Sequence, residues 1–152
     1  MRRSSLLALV FTGVVVFLLV SALLARAFSV DSAERSAITS VVQAEARGDT
    51  AAVIDRFSGC AASPACRTRV GADVAALHHA GAVAVIQLQT SAGFSLTGSR
   101  GTARVAWSIG GSLPIVQCVR VHRAGNVFSG LRIELLALSR RIASDAACPA
   151  RF

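Results

Sequence analysis

The chain has 152 residues, of which 53% are hydrophobic, and a formal net charge of +8 that is carried by arginine, since lysine is absent. Beyond a membrane segment about 125 residues remain, enough for one compact domain and too few for two. The positive charge is compatible with nucleic-acid binding. However, tyrosine is absent, and most of the few aromatic side chains outside the membrane segment fall at inward-facing positions. Without stacking platforms, a nucleic-acid partner is excluded.

An apolar run without a charged side chain extends over residues 6–25. As a helix rising about 1.5 Å per residue, it spans the hydrocarbon core of a bilayer. Because Arg2 and Arg3 precede it, residues 1–5 are expected in the cytoplasm and the rest outside a plasma membrane that the chain crosses once. The alternative is a signal peptide that is cleaved after Ala27, although the run is longer than the usual apolar region of such peptides.

After a linker at 26–30, the remaining residues 31–152 read as one extracytoplasmic domain. Its first helix is predicted to begin with Asp31 as N-cap and Glu34 three residues on, as in a capping box. Gly48 is expected to end this helix.

Two further helices follow in the predicted order. Asp49 is expected to cap a helix at 50–57. Ser63, followed by a proline at the first helical position, is expected to cap a third that ends near residue 80.

From residue 82 the periodicity of the apolar residues becomes that of strands, with Trp107 at the centre of the inward-facing set. Strands are predicted at 82–90, 102–109, 115–122 and 127–139. Residues 91–101 read as an irregular or short strand, with a turn at 98–101, and further turns are expected at 110–112 and 124–126. Helices followed by antiparallel strands predict an α+β fold.

All four cysteines lie in the exported part, where an even number indicates two disulfides. Four cysteines allow three pairings. We favour Cys60 with Cys66, and Cys118 with Cys148, which would hold the C-terminal tail to a strand. No Cys-x-x-Cys occurs, so neither a zinc site nor a redox-active pair is predicted.

No cofactor or metal is predicted from the histidines either. His78 and His79 are adjacent, and neighbouring side chains diverge by about 100° on a helix, so they cannot share one ion.

Three runs, RVAW at 104–107, PIVQCV at 114–119 and LRIELLALS at 131–139, resemble those of uncharacterised single-pass envelope proteins of high-GC Gram-positive bacteria. The order of the elements resembles the cone-shaped fold of the nuclear transport factor 2-like superfamily. The resemblance covers residues 31–148 and implies three helices packed on a curved antiparallel sheet of about four strands. That superfamily includes enzymes and non-catalytic binding modules, so the resemblance implies no particular activity.

In enzymes of the resembled superfamily, an acid or a histidine projects into the cone cavity. The weak candidates for a ligand-binding or catalytic role here are His122, Asp55 and Asp73. None of them lies in a recognisable motif. The role of general base for His122 is less favoured than a cross-strand salt bridge in which Glu134 pairs with His122, Arg120 or Arg104.

The function predicted is that of a membrane-anchored accessory or scaffold protein that contacts the lipid bilayer and another envelope protein, without catalysis. Its architecture is similar to that of the associated subunits of lipid-importing mammalian cell entry systems, and homodimerisation through the sheet is a further expectation. The alternative is a small-molecule binding or enzymatic domain that uses the cone cavity, with His122 or Asp55 in it. A carboxylate and a histidine within hydrogen-bond reach in that cavity would favour catalysis.

Overall fold

The structure is a computed structural model that describes residues 2–91, 97–126 and 130–152. Three helices precede four strands in the chain. The elements are α1 (Arg2–Arg47), α2 (Thr50–Arg56), α3 (Pro64–Leu77), β1 (Val83–Gln89), β2 (Thr97–Ile109), β3 (Ile115–Asn126) and β4 (Gly130–Leu138). The strands form one open antiparallel sheet in the order β1-β2-β3-β4, which confirms the α+β class.

Helix α1 runs for 46 residues without interruption. Residues 26–30, expected as a linker, are helical, and the prediction that Asp31 begins a separate helix is wrong. No glycine or proline occurs between Gly13 and Gly48, so the sequence offers nothing there to break a helix. Asp31 instead accepts a 2.8 Å hydrogen bond from Nε of Arg35 one turn later, a pairing that stabilises a helix interior.

The first part of α1 is long and apolar enough to cross a membrane. Its most apolar window has a mean hydropathy of 2.8, and none of that window is buried. An exposed apolar surface of this extent requires a cover of lipid or protein. A membrane span therefore agrees with the structure, whereas the orientation of the span and its cleavage stay predictions.

The second part of α1 belongs to the core of the outer domain. Its buried apolar side chains pack with those of α2, α3 and the inner sheet face around Trp107, which is fully buried. The apolar contributions of α1 to this cluster are Ile38, Val41, Val42, Ala44 and Ala46. One helix therefore joins the candidate membrane span to the packed domain.

The caps predicted for the two short helices are confirmed. The Asp49 side chain accepts a hydrogen bond from the backbone N–H of Ala52, and that of Ser63 accepts one from the N–H of Cys66. Helix α3 ends at Leu77, a little earlier than expected, because His78 adopts an extended backbone conformation as its C-cap.

Strands β2 and β3 are longer than the periodicity predicted. Residues 98–101 and 124–126, expected as turns, lie within these two strands, where Ser99 pairs with Arg123. A Cβ atom at Gly98 would lie 2.7 Å from the carbonyl oxygen of Arg123, so glycine permits this close pairing instead of ending the strand. The predicted strand residues 127–129, and residues 92–96 of the stretch expected to be irregular, lie outside the described residues.

Strand β1 departs from its predicted facing. The alternation over 82–90 predicts Ile86 on an apolar side with Ala84 and Leu88, but Ile86 is 57% exposed. The pairing register with β2 shifts between Val85 and Gln87, which places Ile86 in a bulge.

The structure contains the two favoured cysteine pairs at disulfide-bonding distance. The Cα atoms of Cys60 and Cys66 are 5.3 Å apart, and those of Cys118 and Cys148 are 5.7 Å apart. The second pair holds the C-terminal tail against β3, as expected.

A buried ion pair joins α1 to the sheet where the helix enters the domain. The fully buried Glu34 accepts hydrogen bonds from Nη2 of Arg123 at 2.7 Å and from the backbone N–H of Ser91 at 2.6 Å. Nearby, the hydroxyl of Thr90 donates to Asp31. These contacts fix the direction in which α1 leaves the domain.

Candidate functional site

A cavity of about 350 Å³ lies between the end of α1, helices α2 and α3, strand β4 and the C-terminal residue. This volume is at the lower end of the range for small-molecule sites. Its walls are mainly apolar, and its charged side chains are two carboxylates and two guanidinium groups. The lining residues include Glu45, Phe57, Ala65, Arg69, Asp73, Val74, Arg120, Leu138 and Phe152.

Glu45 is the most unusual lining residue, because its carboxyl group is fully buried. Oε1 accepts a 3.1 Å hydrogen bond from the amide nitrogen of Gln117. The amide oxygen of Gln117 in turn accepts one from Trp107 Nε1 at 2.7 Å, and the amide nitrogen also donates to the carbonyl of Ser139. This network holds the carboxyl group in place and uses one of its two oxygens.

The second oxygen of this carboxyl group, Oε2, is buried and has no hydrogen-bond partner among the residues that the structure describes. A buried oxygen that accepts no hydrogen bond lowers the stability of the folded protein, and it does so more when the oxygen is charged. In folded proteins such a group calls for an explanation, and a bound molecule is one of them.

The surroundings also shift the protonation of both cavity acids. Burial raises the pKa of Glu45 to about 7, opposed by the Gln117 hydrogen bond and reinforced by the negative charge of Asp73. Burial likewise raises the pKa of Asp73, while the charges of Arg140 and Arg69 lower it. Near neutral pH the Glu45 carboxyl group therefore exchanges readily between its neutral and ionised forms.

The C-terminal tail forms one wall of the cavity. The guanidinium group of Arg120 donates a 3.2 Å hydrogen bond to the carbonyl of Ala150 and lies 4.8 Å from the ring centroid of Phe152. Because Cys118 and Cys148 pair, the tail that carries Phe152 is held close to β3. These two contacts hold the guanidinium group of Arg120 at the edge of the cavity.

Of the three residues predicted as weak site candidates, the structure brings only Asp73 to the cavity. Asp55 is exposed on α2. His122 is half-buried on β3, and its Nδ1 lies 3.1 Å from Oε2 of Glu134, which confirms that the two side chains pair across the strands. Neither Asp55 nor His122 is among the described residues that line the cavity.

The two adjacent histidines each contact a backbone carbonyl oxygen near the C-terminal end of a helix. Nδ1 of His78 lies 3.1 Å from the carbonyl oxygen of Ala46, and Nδ1 of His79 lies 3.1 Å from that of Leu77. Across residues 2–91, 97–126 and 130–152, no three side chains of the metal-ligating types form a group that could hold an ion.

Glu45 is not among the predicted site residues, although the sequence carries a signal for it. Ile38, Val41 and Val42 mark the buried face of α1, and Glu45 continues it at the same helical spacing. A carboxylate on such a face indicates either a buried partner or a site.

Comparison of the chain with models of protein families, with curated proteins and with solved structures returned no match. What the cavity does is therefore argued from its own residues.

Proposed function

We propose that this chain is a membrane-anchored extracytoplasmic accessory or scaffold protein that acts through protein contacts and without catalysis. The observation that carries the proposal is the unbroken helix α1, which is apolar and exposed in its first part and buried in the domain core in its second. Because the second part of α1 is packed in the domain core, the helix fixes the distance of the domain from the bilayer and its orientation. A scaffold that presents a surface to a membrane neighbour needs this arrangement.

Two further observations support the extracytoplasmic location. Disulfides persist in oxidising compartments, and both cysteine pairs lie in the domain beyond the apolar part of α1. Arg2 and Arg3 lie on the other side of it, as the positive-inside rule requires for a cytoplasmic N-terminus. Kinship with envelope proteins of high-GC Gram-positive bacteria belongs to the same proposal and rests on the sequence runs at 104–107, 114–119 and 131–139. Kinship with the nuclear transport factor 2-like superfamily rests on the order of three helices and four antiparallel strands.

The test is chemical crosslinking of the full-length protein in its native membrane, followed by mass spectrometry. We expect one reproducible envelope protein as the crosslinked partner; a crosslink to a second copy of the chain would assign the contact to a homodimer. Membranes from cells without the chain provide the background. Recovery of the chain alone, without a crosslinked protein, would contradict the proposal.

The role of the unbroken helix can be tested in the same experiment. Insertion of Gly-Gly-Pro-Gly after Ala27 interrupts the helix, whereas insertion of four alanines lengthens it by about one turn and keeps it helical. We expect the first insertion to reduce the yield of the partner crosslink several-fold and the second to preserve most of it. Equal yields from the two variants would show that the direction of the domain does not matter.

A second candidate function is the binding of a small molecule in the cavity, and its volume of about 350 Å³ with mainly apolar walls favours it. The enzymatic form of this alternative loses support, because His122 and Asp55 do not line the cavity in the described structure. Binding would raise the midpoint of thermal unfolding of the full-length protein by mass action.

A further inference from the structure

We propose that the outer domain binds the phosphate groups of anionic lipids through two arginines, Arg100 and Arg132, at the end of its sheet that faces the bilayer. This membrane-facing end consists of residues 98–101, 122–126 and 130–134, which belong to β2, β3 and β4. The inference rests on the anchored domain proposed above. It adds the surface that contacts the bilayer and the headgroup chemistry that this surface recognises.

The contacts between α1 and β3 determine which end of the sheet faces the bilayer. Glu34 of α1 contacts Arg123, and Glu45 contacts Gln117. These contacts are eleven positions apart on the helix, about 16 Å, and six positions apart on the strand, about 20 Å. Because the order is reversed and the two lengths are similar, β3 runs back along α1 toward the apolar part of the helix. The later residues of β3, and the strand ends paired with them, therefore lie nearest the bilayer.

The pairing register places both arginines at this end and on the outer face of the sheet. Arg100 pairs with His122, and Arg132 pairs with Ala124, so both lie within one residue of the level of Arg123. The side chain of Arg123 reaches α1 on the core face. Because successive side chains of a strand alternate between the faces, those of His122 and Ala124 and of the arginines paired with them project from the opposite face.

The distance from this level to the bilayer is within the reach of an arginine side chain. The apolar run ends at Ala25, nine positions before Glu34, which corresponds to about 14 Å along the helix. The headgroup layer occupies about 5–8 Å of this distance. An arginine has a long apolar stem that carries its charged head toward a polar layer, so Arg100 and Arg132 span the rest.

Arg100 and Arg132 carry the positive charge that is not balanced at the membrane-facing end. Both side chains are exposed, and neither guanidinium group has a hydrogen bond or an ion pair within the described part of the chain. The other charged side chains near this end are paired, namely Asp31 with Arg35, Glu34 with Arg123 and Glu134 with His122. Unbalanced positive charge attracts anionic headgroups over about a Debye length, roughly 8 Å at physiological ionic strength.

The spacing of the two arginines favours lipid headgroups over a single free phosphate ion. The planar guanidinium group binds phosphate through two parallel hydrogen bonds. Strands β2 and β4 flank β3, so the backbones of Arg100 and Arg132 are roughly 10–12 Å apart. Two arginines at this spacing bind two phosphate groups, and a bilayer surface presents phosphate groups side by side.

The test measures how far the bilayer protects individual arginines from chemical modification. The full-length protein is placed in nanodiscs of phosphatidylcholine, or of phosphatidylcholine with an equal part of phosphatidylglycerol, and treated with phenylglyoxal, which modifies guanidinium groups. Mass spectrometry of peptides gives the rate at each arginine. We expect Arg100 and Arg132 to react at least three-fold more slowly in the anionic nanodiscs. Arg47, exposed at the far end of α1, is the internal control and should react equally in both.

Equal rates at Arg100 and Arg132 in the two kinds of nanodisc would overturn the lipid contact and leave the anchored accessory function standing. Failure of the protein to insert into nanodiscs would overturn the anchor and, with it, this inference. Inorganic phosphate added to the phosphatidylcholine nanodiscs separates the two sources of phosphate. We expect no protection from it, and protection equal to that by phosphatidylglycerol would overturn the lipid as the ligand.

Two double variants test the same contact without chemical modification. Arg100→Gln with Arg132→Gln is compared with Arg47→Gln with Arg141→Gln, which removes two exposed charges far from the membrane-facing end, since Arg141 contacts Pro114 before the start of β3. Phosphatidylglycerol that stays bound to the full-length protein in micelles is counted by mass spectrometry of the intact complex. We expect the first double variant to retain at least three-fold less than the wild type, and the second to retain as much. Equal retention by the two double variants would overturn the proposal.

Discussion

Replacement of Arg123 by methionine is expected to lower the free energy of unfolding by about 3–5 kcal/mol, because it removes the positive charge from a buried ion pair. Glu34 is fully buried, the side chain of Arg123 is 15% exposed, and the guanidinium group contacts Oε2 through both Nε, at 3.1 Å, and Nη2, at 2.7 Å. The variant would leave a buried carboxylate with only the donors of Ser91. Chemical denaturation of the full-length protein in micelles, followed by Trp107 fluorescence, measures the loss.

The matched control is Arg35→Met, which breaks the ion pair with Asp31 on the exposed side of the same helix. Side chains in that pair are 50% and 40% exposed, so we expect a loss of less than about 1 kcal/mol. If Arg123→Met were as mild as Arg35→Met, the contacts of Glu34 would not be what joins α1 to the sheet. That result would contradict a fixed orientation of the domain relative to the membrane-spanning part of α1.

The second prediction concerns the pH dependence of stability that Glu45 imposes. Its pKa in the folded protein is about 7, against an ordinary value of 4.5, so the folded state binds the proton more tightly than the unfolded chain does. The stabilising contribution of the neutral carboxyl group is therefore complete below pH 4.5 and is lost as the pH rises through 7. At roughly 1.4 kcal/mol for each pH unit between the two pKa values, the loss amounts to roughly 3 kcal/mol.

Glu45→Gln isolates this effect, because glutamine is nearly isosteric and does not titrate. Relative to the wild type, the variant is expected to gain stability progressively as the pH rises from 4.5, and to be more stable by roughly 3 kcal/mol above pH 7. Denaturation curves of the two proteins over this range give the difference directly, and Asp55→Asn controls for the loss of a carboxyl group that is not buried. A constant difference between Glu45→Gln and the wild type would show that Glu45 has no raised pKa.

Local signals were sufficient for the short helices and for the pairing of Cys60 with Cys66. Asp49 and the sequence Ser63-Pro64 act within one turn of the helix that each begins, so their roles can be read from neighbouring residues. Cys60 and Cys66 are close in the chain, and their pairing closes a short loop.

The misplaced boundaries have a common cause in long-range pairing. Capping patterns compete with helix continuation, and at Asp31 continuation prevails because the capping partner, Glu34, is bound by Ser91 and Arg123 from the sheet. In the same way, the glycines of β2 were read as a turn, whereas they lie in a strand whose pairing with β3 extends from Thr97 to Trp107. The continuation of α1 through Asp31 and the strand conformation of the β2 glycines both depend on residues that are far away in the sequence.

The candidate site was harder to predict than the fold. The buried position of Glu45 depends on Gln117, which is 72 residues away in the chain, and on a cavity partly formed by the C-terminal residue. His122, chosen because histidine so often serves catalysis, is instead explained by its cross-strand partner Glu134. The residue type alone pointed to His122, which is not among the described residues that line the cavity, whereas the helical spacing of Glu45 pointed to one that is.

Protease accessibility in intact cells, combined with the mass of the intact protein, tests whether α1 anchors the domain outside the membrane. A chain with one tag at each terminus is exposed to an added protease that cannot enter the cytoplasm. We predict a mass that begins at residue 1, loss of the C-terminal tag and protection of the N-terminal tag. Protection of the C-terminal tag, or a mass that begins at Phe28, would contradict the anchored extracytoplasmic domain.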